Sequence, residues 1–169
     1  MSIAEILLQD YDTEISNTRR TLERVPEGKN DFKCHEKSMP MGKLAMHCAR
    51  MPLFGYYILE DEGMDLAAPK RPHIPLVFES REAALAGLDE SAAQCRAALA
   101  AASDEHMQKI WPFTWGEQVI SKSTRALCFR QMFFNHMVHH TAQLGVYLRL
   151  NDIPVPSLYG PSADEPWGS

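Results

Sequence analysis

Three of the chain's seven histidines fall within five positions: His136, His139 and His140. On an α-helix, residues four apart are separated by about 400°, so His136 and His140 stand about 40° apart on one face, one turn above the other. This is the spacing with which a helix offers two imidazoles to one metal ion. His139 falls about 60° to the other side of His136 and roughly 100° from His140. The three do not aim at one point, and the i,i+4 pair is the better geometry. A third ligand must come from another element. His47 is the candidate, on a stripe with Leu44, Met51 and Ile58. Two readings of His47 stand open on spacing alone: a ligand, or a core imidazole bonded to a backbone carbonyl.

Other chemistry-bearing patterns are missing from the sequence. No Glu-x-x-His precedes any histidine, which excludes a di-iron carboxylate bundle. There is no HExxH, CxxCH, G-x-S-x-G elbow or Gly-rich phosphate loop. Cys34, Cys48, Cys95 and Cys128 show no CxxC spacing and are read as free, buried thiols of a reducing compartment. Cys48 points about 100° away from His47 and is read as core. Glu14 is a candidate general base, set against the ordinary reading of a solvated carboxylate. His35, His73 and His106 lie between the helical patterns; His35 is expected at the mouth of the fold, the other two in solvent.

The elements that must position these groups are helices. Ser2 and Glu5 form an S-x-x-E capping box for a helix over about 3–25, stopped at Pro26-Glu-Gly28. A second helix is expected from Pro40 to Glu60, with Ser38 as N-cap and Pro52 removing one N–H inside it. The third follows Ser80 to about Ala102, with Leu85, Leu88, Ala92, Cys95 and Leu99 as its seam. The fourth covers about Ser123 to Leu150. Its inward stripe is Phe129, Met132, His136, His140, Gln143 and Tyr147.

The proline-bearing stretch 61–79 must cross in extended form, and 104–122 is expected to hold a turn or hairpin laying aromatics over one end. The tail from Ile153 to Pro161 is too proline-rich for helix and is expected to pack extended. The expectation is an all-α four-helix bundle with long crossover connections and an extended C-terminal tail, one domain over residues 1–169.

Composition bounds the partners. At 45% apolar and 23% charged residues the chain is globular, and a net charge of −5 without a basic stripe argues against nucleic acid. Residues 131–148 carry no Asp, Glu, Lys or Arg, but Gln131, Asn135, three histidines and Gln143 would each be costly in lipid, so a buried helix is expected rather than a membrane span. With no basic n-region and apolar run at the start, a cytoplasmic protein is expected.

The block Asn135-His-Met-Val-His-His-Thr-Ala-Gln-Leu-Gly-Val-Tyr-Leu-Arg149 resembles the histidine-rich final-helix motif of the DinB/YfiT-like superfamily, and Met41-Gly-Lys-Leu-Ala-Met-His47 resembles its second-helix histidine. Residues 33–39 and 153–165 look like one DinB subgroup. The resemblance spans essentially the whole chain. It implies a four-helix-bundle enzyme with a divalent ion (zinc, nickel or iron) held by His47, His136 and His140, with water or substrate in open positions. Gln143 matches the family pattern and, nearly one turn past His140, is a candidate to orient a ligand; the ordinary alternative is a buried amide.

Relatives include S-transferases and other enzymes dependent on low-molecular-weight thiols, so a thiol cosubstrate and a small-molecule substrate are implied. The family's usual Arg-containing pair is replaced by Thr141-Ala142, which implies a site without that cation. Relatives are often homodimers, with Trp111, Phe113, Trp115 and Trp167 available for an apolar contact or for sealing the bundle end. The alternatives are a non-catalytic, stress-related bundle that binds a metal or small molecule, and an interaction module whose histidines hold no metal.

Overall fold

A computed structural model of the chain describes residues 1–167. The capping box forms as the sequence expects: Ser2 Oγ accepts from the Glu5 N–H at 3.1 Å, and the Glu5 carboxylate accepts from the Ser2 N–H at 2.7 Å. It opens α1 (Ile3–Leu22), which ends one turn earlier than the sequence expectation, with Gly28 beyond it at φ +77°. α2 (Met41–Glu60) runs through Pro52 without losing helical assignment. Ser38 does not cap it. Pro40 is the N-cap, and the first N–H groups of α2 are satisfied by loop carbonyls instead: Met41 N donates to Phe32 at 2.9 Å and Gly42 N to Asn30 at 3.0 Å. α3 (Arg81–Ala101) starts at the expected Ser80, whose hydroxyl accepts from Ala83 N at 3.0 Å.

The last long helical stretch is not uniform. α5 (Arg125–Cys128) leads into a π-helical segment (Phe129–Phe134), and α6 (Asn135–Arg149) follows without a break. Asn135 N donates to the Arg130 carbonyl, five residues back. The wider turn brings Phe129, Phe133 and Phe134 all into the core, where they cluster with Tyr11 of α1.

The fold is helix-rich but not all-α. A three-stranded sheet, β1 (Met64–Asp65), β2 (Ile110–Trp115) and β3 (Gln118–Thr124), has the order β1-β2-β3, parallel then antiparallel. Part of what was expected to be a plain crossing segment therefore supplies an edge strand, and a short α4 (Asp104–Gln108) precedes the hairpin. A bulge falls between Phe113 and Thr114, and Gly116 turns the hairpin at φ +56°. Trp111 is fully buried and donates its indole N–H to the Asp61 carbonyl at 3.0 Å, so the hairpin seals the C-terminal end of α2 as the aromatics suggested.

α2 packs most extensively on α3, with α1 and α6 closing the core. The tail is extended, as expected. Ile153 and Val155 pack on the core, Arg20 donates to the Ser157 carbonyl at 2.6 Å, and Arg20 and Arg24 both pair with Glu165. None of the helices among the described residues is long and apolar enough to cross a membrane.

Candidate metal centre

α2 and α6 run antiparallel side by side, so that His47, midway along α2, faces both His136 and His140. Ring centroids lie 4.5 Å apart for His47 and His140, 4.6 Å for His136 and His140, and 5.3 Å for His47 and His136. One ring nitrogen from each can be chosen so that all three lie within 4.8 Å of one another. All three residues are half-buried, with a side open to solvent. His139 is exposed, as its angle on the helix predicts, with its ring 4.9 Å from that of His140.

The electrostatics suit a ligand set. Burial, then the neighbouring His140, His136 and Lys43, push His47 down to about 4. Burial lowers His136 and His140 as well. All three imidazoles are therefore neutral at physiological pH, the form that donates a lone pair. The His140 Nδ1 lies 2.8 Å from Gln143 Oε1. An amide oxygen only accepts, so Nδ1 carries the proton and Nε2 is left with its lone pair. The Met132 backbone partly opposes the lowering at His136. Three neutral nitrogen donors, one of them fixed through its second ring nitrogen, form a set that can hold a divalent transition metal.

The remaining sequence candidates lie elsewhere. Glu14 is half-buried, and its carboxylate accepts from the Tyr159 hydroxyl at 2.5 Å, on the face of α1 that the tail covers. His35 is exposed and its Nδ1 accepts from the Lys37 N–H at 3.2 Å, a contact within its own loop. His106 departs from the solvent expectation: it sits on α4, half-buried, with Nε2 2.7 Å from the Leu59 carbonyl at the end of α2. His73 is exposed as expected.

Cys48, Cys95 and Cys128 are buried and free, with burial pushing Cys48 and Cys95 up to about 12. Cys34 is exposed, contrary to the buried expectation, because the stretch that holds it forms an irregular loop with no core face.

Position 141 is also resolved. Thr141 is buried, with its hydroxyl 3.0 Å from that of Thr18 on α1. It faces the interior, towards Thr18 on α1 and the buried Cys48 on α2. The cation nearest to His47 in influence is Lys43, one turn earlier on α2. The i,i+4 spacing of Lys43 and His47 made that neighbour legible, and the sequence reading passed over it. Residues 33–39, where His35 was expected at the mouth of the fold, form one wall of the groove: Tyr147 donates to the Met39 carbonyl at 2.8 Å and Cys34 Sγ to Ser38 Oγ at 3.3 Å. No pattern in a loop of that composition announces such packing.

A sequence profile described as the DinB superfamily matches residues 10–144. Among solved structures, a DinB-like protein from Bacillus cereus superposes with a TM-score of 0.64 at 18% identity, covering 90% of this chain and 95% of the other. A DinB-like protein from Bacillus subtilis gives a TM-score of 0.66 at 16% identity, covering 89% and 95%. At those identities the two share the fold and nothing finer is read from them. No curated protein matches the chain. The profile covers most of the sequence, including both helices that carry the triad, and the chain belongs to the DinB superfamily.

Proposed function

We propose that this protein is a metal-dependent enzyme in which His47, His136 and His140 hold one divalent ion, with zinc, nickel and iron(II) suited to the site. The observation that carries the reading is the meeting of three neutral imidazoles from two helices, their ring nitrogens within 4.8 Å of one another. Three protein ligands with a side open to solvent is the form of a catalytic rather than a structural site. When bound, such an ion supplies Lewis acidity that lowers the pKa of a coordinated thiol or water.

The chain's own residues do the rest. Gln143 fixes the tautomer of His140, and Lys43 places a positive charge near His47. The reaction class proposed is transfer of a low-molecular-weight thiol to a small electrophilic substrate, as in thiol-dependent relatives. The fold proposed is a single domain whose four long helical stretches form the bundle. Three buried free thiols support a reducing, cytoplasmic setting. Exposed Trp115, Val119 and Ile120 on the hairpin support a homodimer.

Metal content of untagged protein after metal-replete growth, with His47→Ala and His140→Ala alongside, tests the centre. Near one ion per chain in the parent and loss in both variants is expected, and only trace metal in the parent overturns the reading. Bacillithiol, mycothiol, glutathione and coenzyme A, each with 1-chloro-2,4-dinitrobenzene, then test the reaction through metal-dependent thiol loss. Full metal occupancy with no thiol consumed by any pair favours a non-catalytic binding bundle.

A further inference from the structure

The groove that carries the triad continues past it. Cys34, Ser38 and Met39 join the facing turns of α2 and α6 in lining a half-open cavity of about 200 Å³. Leu44, on its wall, precedes His47 by one turn of α2. Gln143, also on its wall, follows His140 by nearly one turn of α6 and is bonded to it. The cavity therefore begins about 5 Å along the groove from the triad.

Its lining sets it apart. Met39, Leu44 and Val146 give apolar surface, and Gln143, Tyr147, Cys34 and Ser38 give polar atoms, the last accepting from the Cys34 thiol. The polar atoms are largely engaged already: the Tyr147 hydroxyl donates to the Met39 carbonyl, and Gln143 Oε1 is used by His140. Among the described residues, no Asp, Glu, Lys or Arg lines it. The larger cavities elsewhere each carry a charged side chain: Glu60 beside α4, Arg20 with Glu165 beneath the tail, and Arg50 with Glu79 beside α3. A charge placed in the cavity beside the triad would lose water without gaining a counter-ion. Its volume is below the roughly 300–1,000 Å³ of sites for drug-sized ligands.

We infer that this cavity seats the body of the substrate, and that the body is a small, uncharged, apolar group of about one aromatic ring, joined to a metal-coordinating head that faces the triad. The inference rests on the metal reading above and adds the substrate class. Cys34 is the exposed cysteine of the four and stands on the cavity wall. Its thiol is lowered from the ordinary value by hydrogen bonds with Ser38 and Tyr147. It thus offers a chemical reporter of occupancy.

The test uses the cobalt-loaded full chain and three hydroxamates: acetohydroxamate, which has a head and no body; benzohydroxamate, with an apolar body; and 4-carboxybenzohydroxamate, with a charged one. Affinities are read from the cobalt absorption spectrum. Benzohydroxamate is expected to bind at least about tenfold more tightly than either of the others, or about 1.4 kcal/mol, and to slow alkylation of Cys34 by iodoacetamide. Val146→Trp, at a half-exposed helix position, and prior alkylation of Cys34 each fill the cavity. Both are expected to abolish the preference while leaving acetohydroxamate unaffected. Equal affinities, equally tight binding of the carboxylate, or a preference that survives both blocks overturns the inference alone. A chain that takes up no cobalt overturns the metal reading, and the inference with it.

Discussion

Gln143 Oε1 accepts a hydrogen bond from His140 Nδ1 at 2.8 Å, within one turn of α6. This contact decides which nitrogen of His140 is free and fixes the plane of its ring, so the donor set is prepared before any ion arrives. Because Gln143 also lines the adjoining cavity, one side chain joins the place where a metal can sit and the place where a substrate body can sit.

Replacing Gln143 with alanine leaves His140 free to rotate and to swap tautomers. Metal affinity is expected to fall about 10–100-fold, the usual effect of removing a hydrogen-bond partner from a ligating histidine. Gln143→Glu, which still accepts from Nδ1, is expected to retain most of it. Competition against a chromophoric chelator measures both, and an unchanged affinity in Gln143→Ala would refute the orienting role.

The depressed basicity of His47 makes the metal-free chain acid-sensitive. Its folded value of about 4 lies below the ordinary 6.5, so between the two the unfolded chain binds the extra proton and stability rises with pH. The contribution is complete above pH 6.5 and is lost as pH falls towards 4. His136 and His140, also lowered, act with the same sign. For a half-buried ring, solvent screening leaves about 1–2 kcal/mol from His47. Urea midpoints of the metal-free protein at pH 5 and pH 7, compared with His47→Gln, isolate it; a variant with the same pH slope as the parent would count against this assignment.

Arg125 is fully buried, and one of its terminal nitrogens donates to the carbonyls of Ile58, Leu59 and Asp61. It closes the C-terminal end of α2, where carbonyls lack helical partners and the dipole favours a cation. Arg125→Met is expected to cost about 2–4 kcal/mol by stranding those carbonyls, with Arg125→Lys intermediate because its ammonium keeps the charge and the donors but is carried on a side chain of different reach. Chemical denaturation gives the values, and a loss below 1 kcal/mol in the methionine variant would show that the carbonyls are satisfied without it.

Gly55 marks the closest approach of three elements. A Cβ there would lie 2.9 Å from both Cys95 Sγ on α3 and a ring carbon of Phe133 in the π-helical segment. Gly55→Ala is expected to destabilise by about 1–3 kcal/mol through overpacking, outweighing alanine's better helix propensity. The same denaturation experiment checks the sign, and a stabilised variant would mean that the π-helical segment gives way readily.

How far the sequence reached depends on the range of the interaction. The i,i+4 pair His136 and His140, the off-axis His139, the capping box at Ser2 and Glu5 and the Ser80 cap are consequences of helical geometry over one or two turns, and they were legible because that geometry is nearly invariant. The third histidine was only a candidate from spacing and rested on family resemblance. The meeting of His47 with the α6 pair was decided by antiparallel packing of two helices that lie far apart in sequence. The π-helical turn was invisible because it comes from fitting three phenylalanines against Tyr11, not from local propensity.

Glu14, His106 and Cys34 show the other limit. Each was read by residue type, yet tertiary neighbours set each role: the tail for Glu14, the end of α2 for His106, and a cavity wall for Cys34. By itself the sequence determined that two imidazoles share one helical face, in a helix-rich chain that bears the DinB motif. The tertiary structure alone decided that His47 meets the pair, that Thr141 is buried against Thr18, and that an uncharged cavity lies beside the triad. Those outcomes depend on which surfaces are left facing one another once the apolar stripes have been buried, and a sequence states only what each surface carries.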